Sequence, residues 1–555
     1  MRSIVRIGLV SAGVSIPLVL ALLVACGKSS DETCTDFHSC APSGAGLDAA
    51  NDAGPRGLQL AAPCLDALAA VYAAPASLPG ANGAVLSCAK DTDITMADLV
   101  SRLAQDTSSD PPPSTNQAIG GDGLTSGAHV YRIAYRTTRA GPGALAGFAT
   151  AKVFIPDTPR ALALPVVVAV PESHGQGLAC IPSQESPWSL DDDAGATPLN
   201  GDYDALTLPL VGAGFVVIAP DVPHFVEPLS DAGVDAATSP NNDAGAGGDA
   251  EAGVISSGLA IGGYLDAQDE AQATLDAARA LASMFSSGLN GKTALVGHTQ
   301  GAHAVLSATA LQPTYAPDVQ LAAVATYAPF WLTMDIWGFL IDSDPKIPST
   351  PAMTAMSVWY HYSHGELLDG VGHGLDVFAA SAKPSVLNFV HDNCWGQWSG
   401  LGSPTGSVDD LYDPNFVSGI GFAAGLGGPC FNSAQCTTWL ARYAADRPSL
   451  AGSHVPLLLV YGGSDQILTP DSLECVLDRF RREDGVAYSL CVAPGVGNAG
   501  ILRAKSSYVA GWLGAQTLGE TATETCTVGE GSLFPDAGDG GDASASPACP
   551  ADPRN

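Results

Sequence analysis

The stretch Ala294-Leu295-Val296-Gly297-His298-Thr299-Gln300-Gly301-Ala302 constrains this chain more than any other. Thr293 to Val296 reads as a buried strand, and Gln300 to Leu311 has helical spacing. Between them Gly297 and Gly301 leave room for a sharp strand-to-helix turn with Thr299 at its apex. The G-x-S-x-G form of this turn carries serine at the apex, so threonine is a departure.

The surrounding pattern alternates strand and helix. Val130 to Thr138 and Leu145 to Phe154, separated by Ala140-Gly141-Pro142-Gly143, predict a hairpin. Leu164 to Val170 and Phe215 to Ala219 are continuous apolar runs, as in strands buried on both faces. Asp266 to Phe285 has helical spacing at Leu275, Ala278, Leu281 and Phe285. After the elbow come a strand at Leu321 to Tyr327, a strand at Pro456 to Tyr461 and a helix at Asp471 to Arg482. A strand at Ala487 to Val492 and a helix at Ala504 to Leu513 close the series. This alternation predicts an α/β fold with a mostly parallel central sheet covered by helices on both faces. The excursion between Tyr327 and Pro456 is too long for a simple connection, and its aromatic clusters predict a cap over the sheet.

The 63 glycines and 40 prolines show that part of the 555 residues does not pack. Ser230 to Gly253 and Phe534 to Asn555 repeat Asp-Ala-Gly without large apolar residues, and they read as disordered. No EF-hand or nonapeptide spacing turns their aspartates into a calcium site. The net charge of −33 excludes a basic nucleic-acid-binding surface. At the N-terminus Arg2 and Arg6 precede an apolar run to Val24, and Leu23-Val24-Ala25-Cys26 looks like a bacterial lipobox. Cys26 would then be lipidated, with a transmembrane anchor as the alternative; Gly27 after it favours the outer membrane. The other twelve cysteines suit an oxidising compartment. Cys34 with Cys40, Cys430 with Cys436 and Cys475 with Cys491 are near enough in sequence to pair, and no C-x-x-C spacing suggests zinc.

The expected organisation is an export signal at 1–25, a tether at 26–57 and an N-terminal helical extension at 58–125. A core at 126–329, containing the 230–253 tract, is followed by a cap at 330–455. The core resumes at 456–517, and a tail occupies 518–555.

Several segments together resemble the secretory lipase branch of the α/β-hydrolases. Gly297-His298-Thr299-Gln300-Gly301-Ala302-His303-Ala304 is similar to its elbow, G-H-S-Q-G-G-H-A. His174-Gly175-Gln176-Gly177 with Cys180-Ile181-Pro182-Ser183 resembles its HG-x-x-G and C-A-P-S segments. Gly214 to Asp221 resembles a core strand, and Gly462-Gly463-Ser464-Asp465 the turn that presents the acid. The resemblance implies an α/β-hydrolase fold with an inserted cap and carboxylic ester hydrolysis. It gives Asp465 the role of orienting acid and Thr299 that of nucleophile. The backbone N–H of Gln300 would be one oxyanion donor, with a second near Ser173, His174 and Gly175. Asp221 is expected to be structural.

Two positions depart from that pattern. Threonine's β-methyl sits poorly on a strained turn, and the N-terminal amine that usually activates threonine nucleophiles is not at hand. The place of the imidazole falls to Asn498, which accepts no proton near neutral pH. The last histidine, His454, precedes Asp465, so the order nucleophile, acid, histidine cannot close. His174, His298 and His303 are expected to be structural, as are His361, His364 and His373 beside Glu366 in the cap; no metal or cofactor is expected. The sequence thus predicts a cell-envelope lipoprotein with an impaired hydrolase site for an acyl or ester-like ligand. The alternatives are an active esterase using Thr299 with a displaced base, and a non-catalytic surface scaffold.

Overall fold

The computed structural model describes residues 57–521 and Cys526, except 76, 106–123, 142, 178–179, 185–200, 222–261, 332–350, 398–400, 402–410, 421–429, 431–433, 466–467, 469–472, 474–475, 478 and 499. The proposed export signal, Cys26, the Cys34 and Cys40 pair, the 230–253 tract and most of the tail lie outside the described residues.

A short strand at Gln59–Leu60 (β1) pairs with Phe285–Ser287 (β7). The main sheet is built from Val85–Ile94 (β2), Ala128–Thr138 (β3), Ala146–Pro156 (β4), Leu164–Val170 (β5), Val216–Pro220 (β6), Leu289–His298 (β8), Gln320–Tyr327 (β9), Leu457–Gly462 (β10) and Tyr488–Ala493 (β11). Among the described residues its order is β11-β10-β9-β8-β5-β6-β4-β3-β2. Pairing is antiparallel from β2 through β3 and β4 to β6, and parallel from β6 to β11. The hairpin and the buried parallel strands thus fall where their patterns place them. All seven residues of β5 are buried because helices cover both faces.

The 58–125 segment departs from the expectation of a helical extension. It holds helices Leu68–Tyr72 (α1) and Met96–Gln105 (α2), but between them β2 extends the central sheet. Its apolar alternation is weak because an edge strand needs little burial, and Lys90 and Asp93 face solvent as edge charges do. After Gly201–Gly212 (α3) comes Ala267–Ser283 (α4), whose first turn is capped by Asp266 Oδ1 accepting from the Asp269 N–H at 2.8 Å. Asp269 also makes a buried two-point ion pair with Arg139, at 2.9 and 3.0 Å. The elbow helix is Gln300–Tyr315 (α5).

The excursion after β9 is helical: Pro351–His364 (α6), Lys383–Asp392 (α7), Pro414–Ile420 (α8) and Ala434–Ala445 (α9). It has a core of its own around Trp359, Tyr360, Phe389, Tyr412, Trp439 and Tyr443, joined by Tyr264 and Leu265 from the loop before α4. Gly500–Leu518 (α10) packs on the opposite side of the sheet from α4. Disulfides join Cys64 to Cys88, Cys180 to Cys394, Cys430 to Cys436 and Cys491 to Cys526. Cys430 pairs as its spacing suggests. Cys491 does not pair with Cys475: it is buried in β11, and the chain beyond α10 brings Cys526 to it. Nearness in sequence lost to nearness in space. No described helix is long and apolar enough to cross a membrane.

Candidate active site

Thr299 sits where β8 ends and α5 begins, with φ +48° and ψ −100°. Such a backbone is unfavourable for a β-branched residue, costing on the order of 1–3 kcal/mol. The two elbow glycines make the turn possible. A Cβ on Gly297 would stand 2.1 Å from the Gly301 carbonyl oxygen, and one on Gly301 would stand 2.0 Å from that of Val170. The Thr299 N–H donates to the Tyr327 carbonyl at 2.9 Å, which anchors the apex to the end of β9.

Three of the expected residues converge. Asp465 follows β10, Asn498 follows β11, and both loops are tied by the Ser464 N–H donating to the Val496 carbonyl at 2.9 Å. Asn498 Nδ2 donates to Asp465 Oδ2 at 2.9 Å, and the Thr299 hydroxyl donates to Asn498 Oδ1 at 3.3 Å. The carboxylate only accepts, so it draws the amide nitrogen toward itself and leaves the amide oxygen facing Thr299. Asp465 Oδ1 is held by the Leu468 N–H at 2.8 Å. Thr299, Asp465 and Asn498 are all buried. Asn498 therefore makes the two hydrogen bonds of a neutral imidazole, donor toward the acid and acceptor from the hydroxyl. It lacks the imidazole's basic nitrogen.

The loop after β5 lies beside the elbow because Val170 pairs with Gly297. Its first residues reach the elbow: a Cβ on Gly301 would meet the Val170 and Pro171 carbonyl oxygens, and Glu172 Oε2 lies 3.7 Å from His298 Nδ1. His174 donates from Nδ1 to the Glu172 carbonyl at 2.7 Å. Gly175, at φ +98°, forms an isolated bridge with Cys394, and the Trp395 N–H donates to the His174 carbonyl at 3.0 Å. With the Cys180 to Cys394 disulfide, these contacts fasten the loop to the helical excursion.

Among the described residues no imidazole hydrogen-bonds the Thr299 hydroxyl. His298 Nε2 lies 3.2 Å from the Asn498 carbonyl oxygen, and its Nδ1 lies 3.7 Å from Glu172 Oε2. His303 is held at both nitrogens, by Glu270 Oε2 and the Asp446 carbonyl, each at 2.6 Å. Burial pulls the His303 pKa down, and the Glu270 carboxylate more than reverses this, leaving it above its ordinary value. Glu270 also accepts from Gln300 Nε2 at 2.7 Å and from the Leu265 N–H at 2.9 Å. Asp221 is buried and accepts from the Ser183 N–H at 2.9 Å and the Thr150 hydroxyl at 2.5 Å, a bracing arrangement away from Thr299.

The histidines of the excursion do not gather. His361 bonds Tyr443 Oη at 2.6 Å, and burial lowers its pKa to about 3. His373 pairs with Asp376 in solvent, and Glu366 accepts from the N–H groups of Gly372 and Gly374. His364 instead meets Asp266 and Asp446. Sequence reasoning passed over Glu270, Asp266 and Asp446. For Glu270 the available signal was the pair of acidic residues in the first turn of α4; Asp266 and Asp446 had no such signal.

A family model described as secretory lipase matches residues 262–331, the stretch from the loop before α4 through the elbow to Trp331. No curated protein matches the sequence. Among solved structures, a putative hydrolase from Legionella pneumophila aligns at TM-score 0.55 and 14% identity, over 78% of this chain and 98% of its own. The rice cell wall degrading esterase LipA from Xanthomonas oryzae, in a ligand-bound form, aligns at 0.50 and 18%, over 79% and 99%. Candida antarctica lipase A in its closed state aligns at 0.46 and 17%, over 75% and 76%. With the elbow inside the matched stretch and the mixed sheet around it, the chain is an α/β-hydrolase-fold protein resembling the secretory lipases.

Proposed function

We propose that this protein is an exported, lipase-like α/β-hydrolase whose site binds an acyl or ester-like ligand and has lost efficient Ser–His-type hydrolysis. The observation that carries the reading is the chain Thr299–Asn498–Asp465. Thr299 stands in the nucleophile's place, Asp465 in the acid's and Asn498 in the histidine's. A positioned general base contributes about 10²–10⁴-fold, and an amide oxygen cannot act as one near neutral pH. On this reading the Gln300 N–H and the loop at His174 and Gly175 still supply the oxyanion donors. Such a hole alone leaves about 10³–10⁴-fold over water, so slow residual turnover fits the reading.

The aromatic core of the excursion and its disulfide to the oxyanion loop support a cap over this site. The lipobox-like segment ending at Cys26 supports a lipid anchor at the cell envelope, and the four disulfides among the described residues support export. Radiolabelled palmitate incorporation lost in Cys26→Ala tests the anchor.

Ligand binding is tested by incubating the protein with acyl esters of rising chain length, following thermal stability and recovering the ester. The reading expects a chain-length-dependent rise in Tm with the ester recovered intact. No shift with any ester or fatty acid favours a bare scaffold. Rapid conversion to acid and alcohol favours an active esterase.

A further inference from the structure

The seam between the excursion and the core holds three buried side chains from three separate elements. Asp266 caps α4, His364 ends α6, and Asp446 follows α9. They are 4%, 0% and 4% exposed. Each has its outer atom fixed by backbone. Asp266 Oδ1 accepts from the Asp269 N–H at 2.8 Å, and Asp446 Oδ1 from the Ala267 N–H at 3.0 Å. His364 Nδ1 donates to the Tyr360 carbonyl at 2.8 Å. These bonds turn Asp266 Oδ2, Asp446 Oδ2 and His364 Nε2 toward one point, all within 4.8 Å of one another.

Asp266 Oδ2 has no hydrogen-bond donor among the described residues; the nearest cationic atom is His364 Nε2 at 3.8 Å. His364 Nε2 lies 2.8 Å from Asp446 Oδ2, which also accepts from the Tyr360 hydroxyl. Two carboxylates and a neutral imidazole sum to a charge of −2 in a buried space. A divalent cation neutralises the set.

We propose that Asp266, His364 and Asp446 bind a Zn²⁺ ion that locks the helical excursion onto the core. One imidazole and two carboxylates are ordinary zinc donors, and zinc-bound histidines characteristically donate their other ring N–H to a carbonyl or carboxylate. Tetrahedral bonds of about 2.0–2.1 Å set ligand atoms roughly 3.3 Å apart. The 2.8 and 3.8 Å spacings at His364 straddle that value, so small side-chain shifts admit the ion. The ion would also reach the elbow, because the Asp446 carbonyl holds His303, one turn beyond Thr299. Its role is to fix the seam, independent of whether the Thr299 site turns over.

The test loads the full mature chain with ZnCl₂, dialyses it against metal-free buffer and measures retained zinc by mass spectrometry. The proposal expects about one Zn²⁺ per chain. It expects the same from His129→Ala and His373→Ala, which remove exposed histidine–aspartate pairs, and near-complete loss from the near-isosteric Asp266→Asn and Asp446→Asn. EDTA should lower the wild-type Tm and ZnCl₂ restore it. Failure of the wild type to retain zinc overturns the proposal, as does full retention by Asp266→Asn or His364→Gln. Should those variants fail to fold, Co²⁺-loaded wild type decides. Intense visible bands of a four-coordinate site support the proposal, and the weak spectrum of hydrated Co²⁺ overturns it.

Discussion

Asn498 donates to Asp465 and accepts from Thr299, and all three groups are buried. Removing the amide therefore strips a partner from each neighbour at once. Asn498→Leu should destabilise the fold by about 1–3 kcal/mol in urea unfolding, the cost of leaving buried polar groups unpaired. Asn498→His should cost less, because an imidazole restores both bonds; equal losses would show that the chain does not carry this stability. Elsewhere, Lys152 is buried near the Pro182 carbonyl, 3.4 Å from Nζ, and against the Tyr203 ring. Burial lowers its pKa to about 8. With an ordinary value of 10.5 in the unfolded chain, the unfolded state binds more protons between these values. Its contribution is therefore complete above pH 10.5 and lost as pH falls through about 8. The difference in unfolding free energy between wild type and Lys152→Met should change by about 3 kcal/mol across that window. A flat difference would contradict this. At this scale the sequence was informative where a residue type is chemically limiting, as at Thr299 and Asn498. It was uninformative for Asp266 and Asp446, whose partner His364 becomes visible only when three elements are brought together.

At the scale of elements, the elbow works because β5, β8 and α5 approach at backbone distance. Gly301→Ala would place a methyl 2.0 Å from the Val170 carbonyl oxygen, which is itself in the neighbouring strand and cannot retreat. The variant should lose about 3 kcal/mol or fail to accumulate folded protein, as thermal unfolding would show. Unchanged stability would mean that the turn is looser than described. The parallel strands were legible because burial on both faces leaves continuous apolar runs such as Leu164–Val170. Edge strand β2 was not, because one exposed face with Lys90 and Asp93 erases that signal. The Asp465 turn and the Asn498 loop were legible as glycine-rich ends of apolar strands. Their convergence depended on the parallel pairing of β10 with β11, from Leu457 with Tyr488 to Gly462 with Ala493.

For the whole molecule, the excursion and the loop after β5 are one covalent unit through Cys180 and Cys394, which are 214 residues apart. That pairing had no local trace in the sequence, whereas Cys430 and Cys436 lie six residues apart. Replacing both Cys180 and Cys394 with serine should cost about 2–5 kcal/mol in denaturant unfolding, and a reductant should then add no further loss attributable to this bond. No change on replacement would show that noncovalent packing alone holds the loop. The fold is that of an α/β-hydrolase, and on the proposed reading the pair Thr299 and Asn498 leaves the elbow without a base. The most direct test measures kcat/KM on short and long acyl esters for wild type, Thr299→Ala and Thr299→Ser/Asn498→His. The account predicts equally slow wild type and Thr299→Ala, with the double variant faster by at least about 10²-fold. Robust wild-type turnover abolished by Thr299→Ala would contradict it.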